Sequence, residues 1–352
     1  MVSKFNIKHK INECRDNYKD WREDSGPLTK LVIALLIIYL LIAIVVGLYW
    51  SSEPDSFPVH ERAALRAANM QVNPVVGFTS TSTLIEITET LLHKPGGYLR
   101  NDKFPPGLWL DNIPSWEQGV VVQVRDFTRA MRRDFSRSQS QSTEDKDLAV
   151  AEPQMNFNNN SWVLPSTEIE YERGVKAFER YLARLANPEA ADAQFFTRAD
   201  NLSRWLNDVE NRLGSLSQRL SASVGQARLN TDLAGDAEAQ QSTPTNYDEM
   251  VKTPWLQIDN VYYEARGTSW ALLHLLRAVE IDFYDVLEKK NAQVSLRQII
   301  RELEATQATL WAPMVLNGSG FGLFANHSLV MASYISRANS ALKDLSDLLS
   351  QG

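Results

Sequence analysis

Three side chains stand at a spacing that could do acid/base or metal chemistry: Glu86, Glu89 and His93, within "TLIEITETLLH". Steps of three and four residues put all three on one face of a short helix. Two carboxylates and an imidazole converging there could hold a metal ion or pass a proton. A plainer reading competes: acids near a helix start and a histidine near its end complement the macrodipole, and a solvent face needs polar residues anyway. Neither the His-Glu-x-x-His spacing of zincins nor the paired Glu-x-x-His of di-iron bundles occurs. Glu86, Glu89 and His93 therefore stand as the catalytic candidates, with no metal ligand and no cofactor assigned.

The stretch that follows, "HKPGGYLRNDKFPPGLWLDNIPSWEQG" (93–119), is dense in unusual residues. Thr83 and Glu86 read as a capping box that starts one helix, which Pro95, Gly96 and Gly97 stop. Pro105, Pro106 and Gly107 force an extended path and a turn. Ser115 and Gln118 then read as the capping box of a second helix carrying Val120, Val124, Phe127 and Met131. Stop, connector and start make the stretch a joint, with Trp109 and Trp116 as its apolar pegs. The same two tryptophans, with Asp102, Asp111 or Glu117, also suit glycan binding, although no two of these acids can be paired as acid and nucleophile.

Two further places invite chemistry. "NGSGFGLFANHS" (317–328) has the glycines of a phosphate loop but no Lys-Ser/Thr ending and no preceding strand. Its expected role is a turn at Gly318, Gly320 and Gly322, with Phe321 and Phe324 plugging the core and Asn326 capping the last helix. His274, inside "WALLHLLRAVEID", is expected to be a buried, hydrogen-bonded imidazole.

The elements that must position these residues follow from pattern and charge. The 352 residues carry a net charge of -7, which disfavours a phosphate-tracking nucleic-acid binder. Cys14 is the single cysteine. From residue 51 onward the chain thus has no disulfide, cysteine zinc site or thiol nucleophile. "LVIALLIIYLLIAIVVGLYW" (31–50) is free of charge and at helical rise spans roughly 30 Å, the thickness of a bilayer core. Its length and bulky end favour an uncleaved signal anchor over a cleaved signal peptide. Seven basic residues precede it, and only Arg62 and Arg66 occur in the twenty that follow. The positive-inside rule places 1–30 in the cytoplasm and the rest across the membrane. Asn159, Asn201, Asn317 and Asn326 each fit Asn-x-Ser, a match frequent enough by chance to say nothing about a secretory route.

Beyond the anchor, helical spacing dominates. Leu202, Leu206, Val209, Leu213, Leu216 and Leu220 step 4, 3, 4, 3, 4 and form a heptad seam. Tyr171, Val175, Phe178, Leu182 and Leu185 form another, joined to it through Pro188, which predicts an antiparallel hairpin. Met331, Ile335, Ala338, Leu342, Leu345 and Leu349 repeat the spacing at the C-terminus, and further helices are expected near 257–290 and 295–311. Two polar stretches without apolar period read as flexible linkers. The expected order is a cytoplasmic segment 1–30, an anchor 31–50, a helical part 51–135, a linker 136–163, a helical hairpin 164–229, a linker 230–254 and a helical part 255–352. The fold class is mainly α: a single N-terminal transmembrane helix followed by a helical-bundle ectodomain with long antiparallel helices.

"GGYLRNDKFPPGLWLDNIPSWEQGVVVQVRD", "DFSRSQSQSTEDKDL" and "FANHSLVMASYISRANSAL" resemble a family of proteobacterial single-pass inner-membrane proteins catalogued as domain of unknown function 2333. The resemblance spans nearly the whole chain, the anchor included. It implies a Gram-negative source and a periplasmic ectodomain, and it carries over no catalytic residue.

The functional expectation is a membrane-anchored periplasmic scaffold or interaction protein. The bilayer holds residues 31–50, and the seam Leu202, Leu206, Val209, Leu213, Leu216 and Leu220 meets an envelope partner or a second copy of the chain. The alternative is an envelope enzyme acting on cell-wall glycan or peptide through 86–117. No nucleic acid and no cofactor is expected. A sensor is a weaker third reading, because the thirty residues before the span hold no recognisable output domain.

Overall fold

A computed structural model describes residues 9, 13, 26–138, 143–190, 192–229, 248–312, 314–319 and 322–351. The chain divides into two units, residues 1–50 and 51–352. The first contains α1 (Pro27–Trp50), which opens on a proline, suited to the first helical turn where no N–H is needed. Its 24 residues reach about 36 Å at the helical rise. Among the described residues it is the one helix long and apolar enough to cross a membrane.

The second unit is built from α2 (Val59–Met70), α3 (Phe78–His93), α4 (Asn112–Ala130), α5 (Leu148–Met155), α6 (Thr167–Leu185) and α7 (Ala199–Ser221), then α8 (Ile258–Asp282), α9 (Tyr284–Lys289), α10 (Gln293–Thr306) and α11 (His327–Ser350). One π turn, Met131–Phe135, extends α4. The mainly α expectation holds, with one addition: β1 (Gln226–Leu229) and β2 (Asp248–Val251) pair antiparallel. The stretch expected as a linker at 230–254 therefore contains a strand. Residues 230–247 lie outside the described residues.

At the centre, α4 and α8 lie side by side at very short range. A Cβ on Gly267 would stand 2.0 Å from the Trp116 carbonyl oxygen, and one on Gly119 would stand 2.2 Å from that of Glu264. The two glycines let the backbones approach, and Val120, Val124 and Phe127 bury along the contact with Leu272, Leu275 and Val279. Around this pair pack α3, α7 and α10.

The heptad seam on α7 is buried at all six positions, but its partner differs from the expected one. It packs on α11 of the same chain, not on α6. The helices run antiparallel, with Ser203 Oγ 3.0 Å from Ser346 Oγ and Ser217 donating to the Ala332 carbonyl. The C-terminal seam, Met331 to Leu349, supplies the facing stripe and is buried throughout. The hairpin fails for a physical reason. Tyr171, Val175, Phe178 and Leu182 on α6 are already covered by α3 and α5, and the connection after Pro188 first stays on α6, where Tyr181 donates to the Gln194 carbonyl, before it passes to other elements. Phe196 N donates to the Phe135 carbonyl, and the Phe195 ring lies against Phe135 and Phe283.

The linker expected at 136–163 is also corrected. Residues 143–163 are ordered and contain α5, whose Leu148, Ala151 and Met155 form a short buried stripe. Their polarity reflects ion pairs: Asp145 and Asp147 are held by Arg184 at 2.7 and 2.8 Å. Carboxylates bound by guanidinium can line an interior that free carboxylates could not.

Candidate functional site

Glu86, Glu89 and His93 do lie along α3, but they do not meet at one point. The Arg66 guanidinium on α2 takes both carboxylates, at 3.2 Å from Glu86 and 2.7 Å from Glu89, and Arg62 adds a contact to Glu86 at 3.7 Å. His93 is exposed, and its Nδ1 donates to the Glu89 carbonyl, 2.9 Å away. Glu86 borders an open cleft of about 550 Å³ that is also lined by Arg66, Asn69, Met70, Glu179 and Leu182. Glu86 and Glu89 are thus both matched by Arg66. Among the described residues no three His, Cys, Asp or Glu side chains gather in a metal-holding group.

The helix that carries them begins earlier than its sequence suggests. Thr83 is buried inside α3, and the helix starts after Gly77, whose φ of 86° a residue with a side chain rarely adopts. The cap comes from elsewhere in the fold: the Asp282 carboxylate, at the end of α8, accepts from Ser80 N at 2.7 Å. Burial pushes the Asp282 carboxyl up, and bonds from Ser80, Gly77 and Thr79 pull it back. The second expected capping box fails similarly. α4 starts at Asn112, so Ser115 lies within its first turn and donates to the Asp111 carbonyl.

The stretch 93–119 is a joint, and its fastening is a buried ion pair. Lys94 Nζ lies 2.5 Å from Glu117 Oε1, with the side chains 1% and 0% exposed. Glu117 also accepts from Leu99 N and Arg100 N, both at 2.8 Å, and Lys94 donates to the Gly97 carbonyl. Gly96 and Gly97, with φ of 85° and 71°, make the turn that brings these amides back to Glu117. Burial raises the Glu117 carboxyl, while Lys94 and the two amides lower it without cancelling the rise. Glu117 is thus sealed in the interior and unavailable to a glycan. Of the two pegs, Trp116 is buried and Trp109 is exposed.

From this clasp the joint reaches a second loop. Tyr98 donates to the Asn159 carbonyl at 2.9 Å, and Asn101 donates to the Ser161 carbonyl at 2.7 Å and to Glu168 at 3.0 Å. Arg125 holds the same segment through the carbonyls of Met155 and Phe157. The two braced loops present apolar side chains to solvent: Phe104, Leu108 and Trp109 on one, Trp162, Val163 and Leu164 on the other. The rings of Phe104 and Trp162 meet edge to face, with centroids 5.5 Å apart. Sequence reasoning located the joint and named Glu117 as a candidate acid, but missed its pairing with Lys94 and the hold of Arg66 on Glu86 and Glu89. These partners lie on other elements or across a turn, and spacing along one helix carries no signal for them.

His274 is buried and doubly hydrogen-bonded, as its surroundings indicate. Nδ1 stands 2.6 Å from the Trp270 carbonyl, and Nε2 accepts from Phe57 N at 3.0 Å. The two bonds fix a neutral ring with its proton on Nδ1. Phe57 stacks on the imidazole at 3.9 Å, Trp270 Nε1 donates to the Asp55 carbonyl, and Glu53 pairs with Arg266 at 2.8 Å. Residues 53–57 are thereby fastened to α8.

Burial lowers the imidazole pKa to about 4. Between that value and the ordinary 6.5 the unfolded chain binds the proton and the folded one does not, so stability falls as pH drops through this window. The full loss is about 3 kcal/mol. Denaturant titrations across that range should show the wild type losing about this much relative to His274→Gln, whose amide oxygen can still accept from Phe57. Parallel pH profiles for the two proteins would exclude the effect.

Of the remaining expectations, Asn326 caps α11 through a bond from Leu329 N at 2.8 Å. Phe324 is 72% exposed and does not plug the core, because the turn that holds it projects outward. Gly320 and Phe321 lie outside the described residues.

A family model described as an uncharacterized protein conserved in bacteria (DUF2333) matches residues 22–352, and the chain belongs to that family. No curated protein and no solved structure matches the sequence.

Proposed function

We propose that this member of a bacterial family is a single-pass inner-membrane protein that works in the cell envelope by binding a protein partner. The span is α1, residues 1–30 are cytoplasmic and the unit 51–352 is periplasmic. The basic residues before the span and their scarcity after it support that orientation. The observation that carries the interaction reading is the pair of braced loops. Phe104, Leu108 and Trp109 face solvent beside Trp162, Val163 and Leu164 on backbone fixed by the Lys94–Glu117 clasp. Aromatic anchors on rigid backbone lose little entropy on binding, which is the character of interface hot spots.

The seam Leu202, Leu206, Val209, Leu213, Leu216 and Leu220 cannot serve as the docking surface while α11 covers it. Recognition passes instead to the loops. Of the acids in 86–117, Glu86 and Glu89 are held by Arg66 and Glu117 by Lys94, which weakens these three as catalytic groups.

A photoactivatable residue at Trp162, introduced into the full chain in intact cells, should give a discrete protein adduct that weakens when Phe104→Ser is added. The same probe at the exposed Lys289 should give none. An adduct of twice the chain's mass would make the partner a second copy. Equal labelling from Trp162 and Lys289, or none from either, would contradict the reading.

A further inference from the structure

Between Glu304 and Arg337 the chain has no Asp, Glu, Lys or Arg, although 22% of its residues are charged. The middle of this run connects α10 to α11; Leu310 and Val315 pack against the core, and four larger apolar side chains point outward. Trp311 is 91% exposed, Leu323 101%, Phe324 72% and Met314 61%. A loop in contact with water would ordinarily be polar. Nor is this one slack. Gly318 N donates to the Ala325 carbonyl and His327 N to the Leu316 carbonyl, Asn326 Nδ2 donates to the Gly318 carbonyl, and Ser328 Oγ donates to Asn317. The loop therefore closes its own backbone bonds near its base while turning its largest apolar groups outward.

The place where the loop begins indicates what covers it. Arg266 on α8 donates to the Thr306 and Ala308 carbonyls and at the same time pairs with Glu53. Glu53 is three residues beyond Trp50, the last residue of α1. Three residues reach at most about 11 Å. One guanidinium thus ties the root of an uncharged, outward-facing loop to the point where the chain leaves its apolar span. Trp255 and Leu256, 77% and 75% exposed, lead into the same α8.

We propose that Trp311, Met314, Leu323 and Phe324 form a second membrane contact, entering the interfacial layer of the bilayer that α1 crosses. The proposal rests on the reading of α1 as a membrane span. Tryptophan and phenylalanine favour that layer, and the lack of charge removes the main cost of entering it.

The test uses the full chain in lipid vesicles, with Cys14→Ser to clear the background. An environment-sensitive dye is placed on single cysteines at Tyr49, Leu323 or Lys289, and the lipids carry a nitroxide quencher on the acyl chain. Dye at Tyr49 and at Leu323 should emit to the blue and lose most of its intensity to the quencher. Dye at Lys289, beyond the far end of α8, should do neither. Quenching at Tyr49 without quenching at Leu323 overturns the second contact and leaves the anchor standing. A blue shift at Leu323 without lipid quenching also overturns it, by placing the loop against protein. No quenching at Tyr49 removes the anchor, and the contact with it.

Discussion

Lys94→Met is expected to destabilise the protein by about 3–5 kcal/mol, the cost of leaving a buried carboxylate without its counter-charge. Glu117 would retain its bonds from Leu99 N and Arg100 N but lose the ammonium 2.5 Å away. The double variant Lys94→Met/Glu117→Gln removes both charges and should recover part of the loss, because the amide oxygen can still accept from one of the two backbone donors. Chemical denaturation of the detergent-solubilised chain reads both numbers. A single variant within about 1 kcal/mol of wild type would mean that the clasp does not hold the joint. The consequence reaches function: with the clasp loosened, the Phe104 and Trp162 loops lose their brace, and the adduct from Trp162 should weaken in the same variant.

Leu213→Asp is the second large effect. Leu213 sits at the middle of the α7 seam, fully buried among side chains contributed by this chain's own α11. An aspartate there loses the leucine's transfer energy, about 1.5–3 kcal/mol, and buries a charge with no partner, so the sum is at least several kcal/mol. Circular dichroism melting and light scattering on the same samples separate the two ways such a seam could act. Unfolding with no change in subunit number agrees with the packing on α11. Dissociation of an oligomer into folded monomers would mean that the seam lies between chains.

The sequence made some of this legible and not the rest, for identifiable reasons. A 4, 3 spacing of apolar residues reports a buried stripe, and the α7 and α11 seams are both buried as read. Spacing says nothing about which stripe meets which. The nearest stripe in sequence, on α6, proved to be covered already by α3 and α5. The polar run before Leu148 resembled a linker because composition cannot show that Asp145 and Asp147 are bound by Arg184. The same blindness applies at the candidate site. Glu86, Glu89 and His93 share a helix as their spacing requires, yet what the acids do is set by Arg66 on another helix. Helix starts failed where the cap was tertiary, as with Asp282 at the head of α3. Asn326 was readable because its partner lies within a turn, and the burial of His274 was readable from its apolar neighbours, although its second partner, Phe57 N, lies far away in sequence.

The chain is proposed to cross the membrane once through α1, with residues 51–352 on the outer side. Two reporters fused after Gly352 test it in living cells, one active only in the periplasm and one active only in the cytoplasm. The basic residues ahead of the span predict activity from the periplasmic reporter and silence from the cytoplasmic one. Activity from the cytoplasmic reporter alone would contradict the orientation, and with it the assignment of the aromatic loops to a partner in the envelope.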